Sequence, residues 1–305
     1  MATEDKPDYL AEHAHVSEAA RAVGAMLCEL QPAMQQLEVS QASLELEGRL
    51  GRFGPSGFDP DVGSSAFCAI LVMLESFQGW SRVSQWEETQ DVFFSTTLPL
   101  GTLGPEDDGR PVQVRTSVAW GTGSGAEAME VTHVVKKKLR RVDLALQNVD
   151  VGACAIGTQA PGCAAFPLDA RIAASLEWPV HPSALPVAVH PDLVRIKQRR
   201  RFYLPSPGVE GDCFRFDVTI VYRGKTKTEA EARQRAGDGA SFEVECECLA
   251  PHAYIKSSCG DPLCLALSMV VKLLDFASAL NPVSCVTFVP TPARRGERPF
   301  QLGRP

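Results

Sequence analysis

Glu243-Val244-Glu245-Cys246-Glu247 alternates acidic and apolar residues, and Glu45-Leu46-Glu47 repeats the pattern much earlier in the chain. In a β-strand, residues two positions apart lie on the same face, so each segment places its carboxylates on one side. Like charges on adjacent strands repel one another unless cations lie between them. If both rows face one cavity, they offer oxygen ligands suited to Mg²⁺ or Mn²⁺. The alternation therefore predicts two strands with a functional charged face.

Other segments alternate in the same way but carry basic residues. Lys197 and Arg199 share one face of a predicted strand, and Arg215 and Asp217 share a face opposite Phe216. A solvent-exposed face explains any one of these strands by itself. Three glutamates on one exposed face are nevertheless poor strand formers. A closed barrel with the charged faces inside brings both signs together and can hold one small ligand, such as a metal ion with a triphosphate.

Turn signals and alternation predict a mainly β protein. The fold class we expect is α+β, mainly β, built as a closed antiparallel barrel of about eight strands with supporting outer helices. One domain is predicted over residues 17–290, with a disordered leader over 1–16, a loop over 149–167 and a tail over 291–305. Helices are predicted at 17–30, 34–37, 64–78 and 261–280, with Pro32 separating the first two. Strands are predicted at 43–52, 91–98, 111–120, 129–137, 140–147, 171–177, 194–204, 214–222, 241–248 and 283–289.

Composition excludes several classes. The 305-residue chain has a formal net charge of −7, which argues against coating nucleic acid with a broad basic surface. Its ten cysteines include no CxxC pair, so a zinc site is not indicated, and Cys246 and Cys248 are expected as buried, reduced thiols. The sequence shows no signal peptide and no apolar stretch of the ~20 residues a membrane span needs, so we expect a soluble intracellular protein. Gly224-Lys225-Thr226 lacks the earlier glycine of a phosphate-binding loop.

An ordered set of segments resembles a known family, the fungal and protozoal RNA 5′-triphosphatases, which are metal-dependent members of the triphosphate tunnel superfamily. The resemblance spans roughly residues 40–250, and Leu50, where the family often has an aromatic residue, is a departure. It implies a closed antiparallel barrel with the active site inside. The segments that carry it are 44–51, 86–89, 114–116, 136–144, 175–180, 196–199, 215–219 and 243–247.

The resemblance also implies roles for individual residues. Three glutamates would bind Mg²⁺ or Mn²⁺, three basic residues would hold the γ-phosphate, and one glutamate would orient or activate the attacking water. A lysine near position 138 would contact phosphate as well; alignment places it at Lys138, with Lys136 as the alternative of the same parity. The metal ligands would be Glu45, Glu47 and Glu247, the γ-phosphate ligands Arg115, Lys197 and Arg199, and the residue acting on water Glu177. Four further residues would support the tunnel: Arg215, Asp217, Glu243 and Glu245.

The activity implied is removal of the γ-phosphate from 5′-triphosphate RNA, the first step of mRNA capping, in the nucleus. RNA guanylyltransferase is a partner implied by that role, although the N-terminal segment lacks the Trp-containing stretch with which fungal relatives bind it. No membrane partner is implied, and the oligomeric state stays open. Two alternatives also stay open: a tunnel enzyme acting on free nucleoside triphosphate, inorganic polyphosphate or thiamine triphosphate, and a non-catalytic polyanion-binding barrel.

Overall fold

The computed structural model describes residues 16–37, 42–103, 109–120, 130–148, 168–187, 190–205, 211–251, 253–254, 261–278 and 283–289. About half of these residues lie in strands. No helix in the described ranges is long and apolar enough to cross a membrane. The helices are α1 (Ser17–Leu37), α2 (Ser64–Ser76), α3 (Lys227–Ala236) and α4 (Pro262–Ser278). The strands are β1 (Ser43–Gly54), β2 (Gly57–Asp59), β3 (Arg82–Val83), β4 (Glu87–Thr96), β5 (Val112–Ala119), β6 (Glu130–Asn148), β7 (Asp169–Pro179), β8 (Leu193–Pro205), β9 (Asp212–Gly224), β10 (Ser241–Cys248) and β11 (Val283–Val289).

Eight of the strands form a closed antiparallel barrel, which confirms the predicted fold class. Around the ring the order is β1, β10, β9, β8, β4, β5, β6 and β7, and β7 pairs again with β1. The pairing of β1 with β10 closes the ring, from Leu46 opposite Cys248 to Arg49 opposite Glu245. Closure leaves the ring without an unpaired strand edge. The remaining strands add to its outside: β2 pairs with β1, β3 with β8 and β11 with β6.

The main hydrophobic core lies outside the barrel, between its wall and the helices. Leu46 on β1, Phe216 on β9 and Cys246 on β10 are buried in one apolar cluster with Leu273 of α4 and Leu27 of α1. The apolar face of these strands is therefore the outer face. On β4 and β5, Phe94 and Val114 pack instead in a second, smaller apolar cluster with Leu98 and Val180. The charged face that alternates with the apolar face must then line the interior. Cys246 and Cys248 are buried, as predicted, and burial raises the pKa of both thiols.

Several element boundaries differ from the prediction. Helix α1 continues through Pro32 as one helix, and β4 begins at Glu87 instead of residue 91. The two strands predicted at 129–137 and 140–147 are one strand, β6, interrupted by a bulge at Leu139. Helix α3 was not predicted. The loop at 149–167 and the tail at 291–305 lie outside the described residues, as does the leader except for Val16.

Candidate active site: a charged tunnel

Strand register brings the predicted site residues to the interior of the barrel. Glu47 lies opposite Glu247, and Lys136 lies opposite Glu177. Residues paired in this way share a face, and the pairing can be followed around the whole ring. Ion pairs also reach over intervening strands: Lys136 on β6 contacts Glu45 on β1, although β7 lies between them. Only side chains on the concave face can make such a contact. The strand register places all twelve predicted residues on this same face, so all twelve line the tunnel.

Carboxylates concentrate where β1 and β10 meet. Lys136 Nζ contacts Glu45 and lies 3.2 Å from Glu47 Oε2. Arg49 pairs with Glu47 and, at 3.0 Å, with Glu245. Glu45 Oε2 is buried and accepts no hydrogen bond from the described residues, although it is in an ion pair with Lys136. This part of the tunnel is therefore rich in acidic oxygens that are only partly compensated.

The pKa values of two glutamates of β10 are shifted in opposite directions because their neighbours differ. Burial raises the pKa of Glu247 to about 7, and neighbouring carboxylates add to this effect against the attraction of Arg215, which lies 2.5 Å away. Burial also opposes ionisation of Glu245, but Arg49, Arg199 and other nearby cations outweigh it and lower the pKa of Glu245 to about 2. A cation beside Glu247 would stabilise its charged form.

Basic residues face this acidic group from the other side of the ring. Arg115 Nη2 lies 3.0 Å from Glu177, and Lys197 Nζ lies 2.6 Å from Asp91. Arg199 donates a hydrogen bond to Thr219 Oγ1 at 3.2 Å. Its Nη1 also lies 3.1 Å from Asp217 Oδ2, which is an ion-pair distance without hydrogen-bond geometry. Each predicted phosphate-binding cation is thus held in place by a partner on a neighbouring or nearby strand.

Lys197 is the most perturbed of the basic residues. Burial, reinforced by Arg199, lowers the pKa of Lys197 to about 8 in spite of its ion pair with Asp91. A buried cation in this position gains from any anion that replaces lost hydration. Lys197 is therefore suited to meet a phosphate oxygen.

Lys136 and Lys138 both face the tunnel but differ in their surroundings. Lys136 is engaged with Glu45 and Glu47, whereas Lys138 forms no ion pair with any described residue. Burial lowers the pKa of Lys138, and the nearby cations Arg49, Arg171, Lys136 and Arg141 lower it further. Of the two lysines, Lys138 is the one available to an anionic ligand.

Sequence reasoning missed several tunnel residues. Asp91 positions Lys197, and Glu87 lies 2.6 Å from Arg201. Both lie in the alternating series Glu87, Thr89 and Asp91. This series is recognisable only if the strand begins at Glu87, and the predicted strand began at residue 91. Glu243 is bound by two arginines at 2.7 Å each, Arg195 and Arg223. These two arginines were not among the predicted site residues, whereas Glu243 was implied by the resemblance as a supporting tunnel residue.

The tunnel's carboxylates match a divalent metal by donor type. Glu45, Glu47 and Glu247 present only oxygen donors, the ligands that Mg²⁺ and Mn²⁺ prefer. The buried, hydrogen-bond-free Glu45 Oε2 and the raised pKa of Glu247 both point to a place where a cation would be stabilised. Within the described ranges, however, no group of three or more His, Cys, Asp or Glu side chains is arranged to hold a metal. The three glutamates turn instead towards Lys136, Arg49 and Arg215.

Comparison with known proteins shows the same fold elsewhere. No family model and no curated protein matches the sequence. S. pombe Pct1 RNA triphosphatase superposes with a TM-score of 0.53 and 15% identity, over 93% of this chain and 100% of that one. The same protein in complex with the Spt5 CTD gives a TM-score of 0.51 and 16% identity, over 91% and 98%. The Mimivirus capping enzyme triphosphatase gives a TM-score of 0.43 and 11% identity, over 82% of this chain and 97% of that one. The chain therefore shares the fold of S. pombe Pct1 RNA triphosphatase.

Proposed function

We propose that this protein is a metal-dependent RNA 5′-triphosphatase, which hydrolyses the γ-phosphate of 5′-triphosphate RNA and leaves a 5′-diphosphate end. The observation that carries the proposal is the mixed charge of the tunnel, with glutamates of β1 and β10 facing Arg115, Lys197 and Arg199. Phosphoryl transfer needs positioning and neutralisation of charge more than covalent chemistry. A closed barrel lined by both signs provides these.

The three basic residues would bind the γ-phosphate in different ways. Arg115 and Arg199 can each donate two hydrogen bonds to phosphate oxygens in fork geometry, whereas Lys197 supplies a compact charge. Their carboxylate partners, Glu177, Asp217 and Asp91, fix where these cations lie. Binding therefore needs little rearrangement of the cations, which lowers its entropic cost.

Glu177 is the group that we propose as orienting or activating the attacking water. It lies on β7 beside Arg115, at the boundary between the basic side and the glutamates of β1. A carboxylate there can accept a proton from water that approaches the γ-phosphorus. Glu45, Glu47 and Glu247 would hold the metal, which when bound supplies a Lewis acid for the phosphate oxygens.

The cellular setting follows from the activity. We infer one catalytic domain over residues 17–290, nuclear residence, and the 5′ end of nascent RNA as substrate. The guanylyltransferase that consumes a diphosphate end is the partner that the reaction implies. Removal of the first phosphate would be the step that prepares RNA for capping.

The decisive experiment measures phosphate release from γ-labelled triphosphate RNA. It uses Mg²⁺, Mn²⁺ or chelator with wild type, Glu45→Gln and a control, Glu88→Gln, whose carboxylate is exposed and bonded to Gln234 of α3. We expect metal-dependent release that Glu45→Gln loses and Glu88→Gln keeps. Absence of release with either metal would overturn the proposal and favour a polyanion-binding barrel. Faster turnover of inorganic triphosphate than of RNA would favour a sibling hydrolase.

A further inference from the structure

Strand β1 extends beyond the closed part of the barrel. Its pairing with β7 ends at Gly51 opposite Asp169, and after that it pairs with β2 in a hairpin, where Phe53 lies opposite Phe58. Odd-numbered residues of β1 face the tunnel, and Phe53 continues that face. The ring centroids of the two phenylalanines are 5.2 Å apart. The hairpin thus carries an aromatic pair at one mouth of the tunnel.

Arg171 joins this aromatic pair to the wall of the barrel. Its Cζ lies 4.6 Å from the centroid of Phe58 and 5.8 Å from that of Phe53. Asp143 holds the guanidinium by two hydrogen bonds, of 2.6 Å from Nε and 2.9 Å from Nη2. The plane of the guanidinium is therefore fixed against the rings. Aromatic rings and guanidinium planes are the surfaces on which proteins stack unpaired RNA bases.

Basic residues continue from this mouth towards the proposed γ-phosphate site. Arg141 lies on the tunnel face 3.7 Å from Asp143, and Lys138 follows on the same strand without an ion-pair partner among the described residues. Arg49 lies opposite Arg171 on the neighbouring strand. The proximity of these cations is what lowers the pKa of Lys138. An unpaired cation among others is costly without an anion, and a polyphosphate backbone supplies one.

We propose that RNA enters at this mouth, with the phosphates that follow the γ-phosphate near Lys138 and Arg141 and a base of the first nucleotides stacked on the rim formed by Phe53, Phe58 and Arg171. The inference rests on the proposed function and adds what would distinguish RNA from a free triphosphate. Inorganic triphosphate has no base, so it gains nothing from the rim.

The test compares two substrates in a rim variant and a matched control. Phe58→Ala removes one ring of the rim. Arg82→Gln removes a similar stack at the other mouth, where Arg82 Cζ lies 3.8 Å from the ring centroid of Tyr203. Tyr203 pairs with Arg215, which pairs with Glu247, the glutamate of β10 furthest from the hairpin. The control therefore has the same chemistry at the opposite end.

The readout is kcat/KM for a short 5′-triphosphate RNA divided by kcat/KM for inorganic triphosphate. We expect Phe58→Ala to lower this ratio about tenfold, Phe58→Tyr to restore it because stacking is retained, and Arg82→Gln to leave it unchanged. An unchanged ratio in Phe58→Ala would overturn the proposal. A fall in the ratio with Arg82→Gln alone would also overturn it and assign entry to the other mouth.

Binding separates this inference from the proposed function. Fluorescence anisotropy of labelled 5′-triphosphate RNA reports rim contacts even in a protein that releases no phosphate. Weaker binding by Phe58→Ala than by Arg82→Gln, with melting temperatures like wild type, supports the RNA-binding rim. Equal binding by the three proteins contradicts it, whatever the outcome of the phosphate-release assay.

Discussion

At the scale of single residues, each of the three cations proposed to hold the γ-phosphate, Arg115, Lys197 and Arg199, lies beside a carboxylate. Among these carboxylates Glu177 has two roles, because it is both the ion-pair partner of Arg115 at 3.0 Å and the proposed base. A substitution there separates the two roles. Neutral glutamine keeps the shape and can still bond to the guanidinium, but it cannot accept a proton from water.

We expect Glu177→Gln to lower kcat by about 10²–10⁴-fold with a much smaller change in KM. Single-turnover measurement of γ-phosphate release checks this. The control is Glu87→Gln, which removes the carboxylate that lies 2.6 Å from Arg201 elsewhere in the tunnel. Near-full kcat in Glu177→Gln would remove this residue from the mechanism.

Lys197 gives the tunnel a pH dependence. Because its pKa is lowered to about 8, Lys197 is charged below that pH and loses its proton as the pH rises through it. The affinity for triphosphate should therefore fall on the alkaline side, and KM should rise there. In Lys197→Arg the cation stays charged, so the alkaline rise in KM should disappear. An identical KM profile in the two proteins between about pH 7 and pH 9.5 would contradict this assignment.

Residue alternation predicted which side chains face the tunnel, because strand parity is a local property that the sequence displays. It could not show which cation meets which carboxylate. The pairing of Lys136 with Glu45 reaches over a strand and depends on how the ring closes. The bulge at Leu139 was also invisible, since a run of basic residues on either side of one leucine has no unique parity.

At the scale of elements, helix predictions failed where tertiary contacts outweigh local preference. Helix α1 continues through Pro32 although an interior proline costs about 3 kcal/mol. Its upstream part is buried through Leu27 in the main core, and packing supplies the compensation. Helix α3 carries local capping signals: Thr226 accepts a hydrogen bond from Glu229 N, and Gly237 ends the helix in a left-handed conformation. Its charged surface, with Ala230 buried, hid the periodicity.

The contact between α4 and the barrel predicts a sensitive position on β1. A Cβ at Gly48 would lie 2.7 Å from Leu273 Cδ1, and Leu273 is buried among other core residues. Gly48→Ala should therefore lower the free energy of unfolding by about 1–3 kcal/mol through overpacking. Gly54→Ala on the same strand is the matched control, since its nearest atom is 3.9 Å away. Chemical denaturation of both variants measures the difference. Equal stability of the two variants would contradict the prediction and show that α4 shifts to accommodate the added methyl group at no cost.

At the scale of the whole molecule, the chain has a formal net charge of −7 although many basic side chains line its tunnel. Closure of the ring makes this possible, because it places the basic residues of the tunnel inside the ring, beside carboxylates. The sequence predicted closure from the need to bring both signs together. It could not predict that β1 and β10 would be the strands that meet, because their pairing joins distant parts of the chain.

A preformed tunnel predicts stabilisation by its ligand. Under the proposed function, inorganic triphosphate would bind the folded barrel and have no site in the unfolded chain, so at about 100 times its Kd it should add about 2.7 kcal/mol to the free energy of unfolding. Thermal unfolding with triphosphate, compared with sodium chloride at equal ionic strength, measures this. Lys197→Ala with Arg199→Ala should abolish the shift. A rise in melting temperature that sodium chloride reproduces would indicate screening in place of binding.

The bulge in β6 has a consequence for how this wall tolerates change in length. Up to Lys138 the even-numbered residues face the tunnel, and from Arg141 the odd-numbered residues do. Leu139 is thus a change of phase in the alternation, and Arg140 faces outward to Glu29 of α1 because of it. Deletion of Leu139 would remove the bulge, so that Lys138 opposite Ser175 would be followed directly by Arg140 opposite Ala174, and Asp143 would still face Arg171. This wall can therefore lose one residue at the bulge and keep the same side chains inside and outside the barrel.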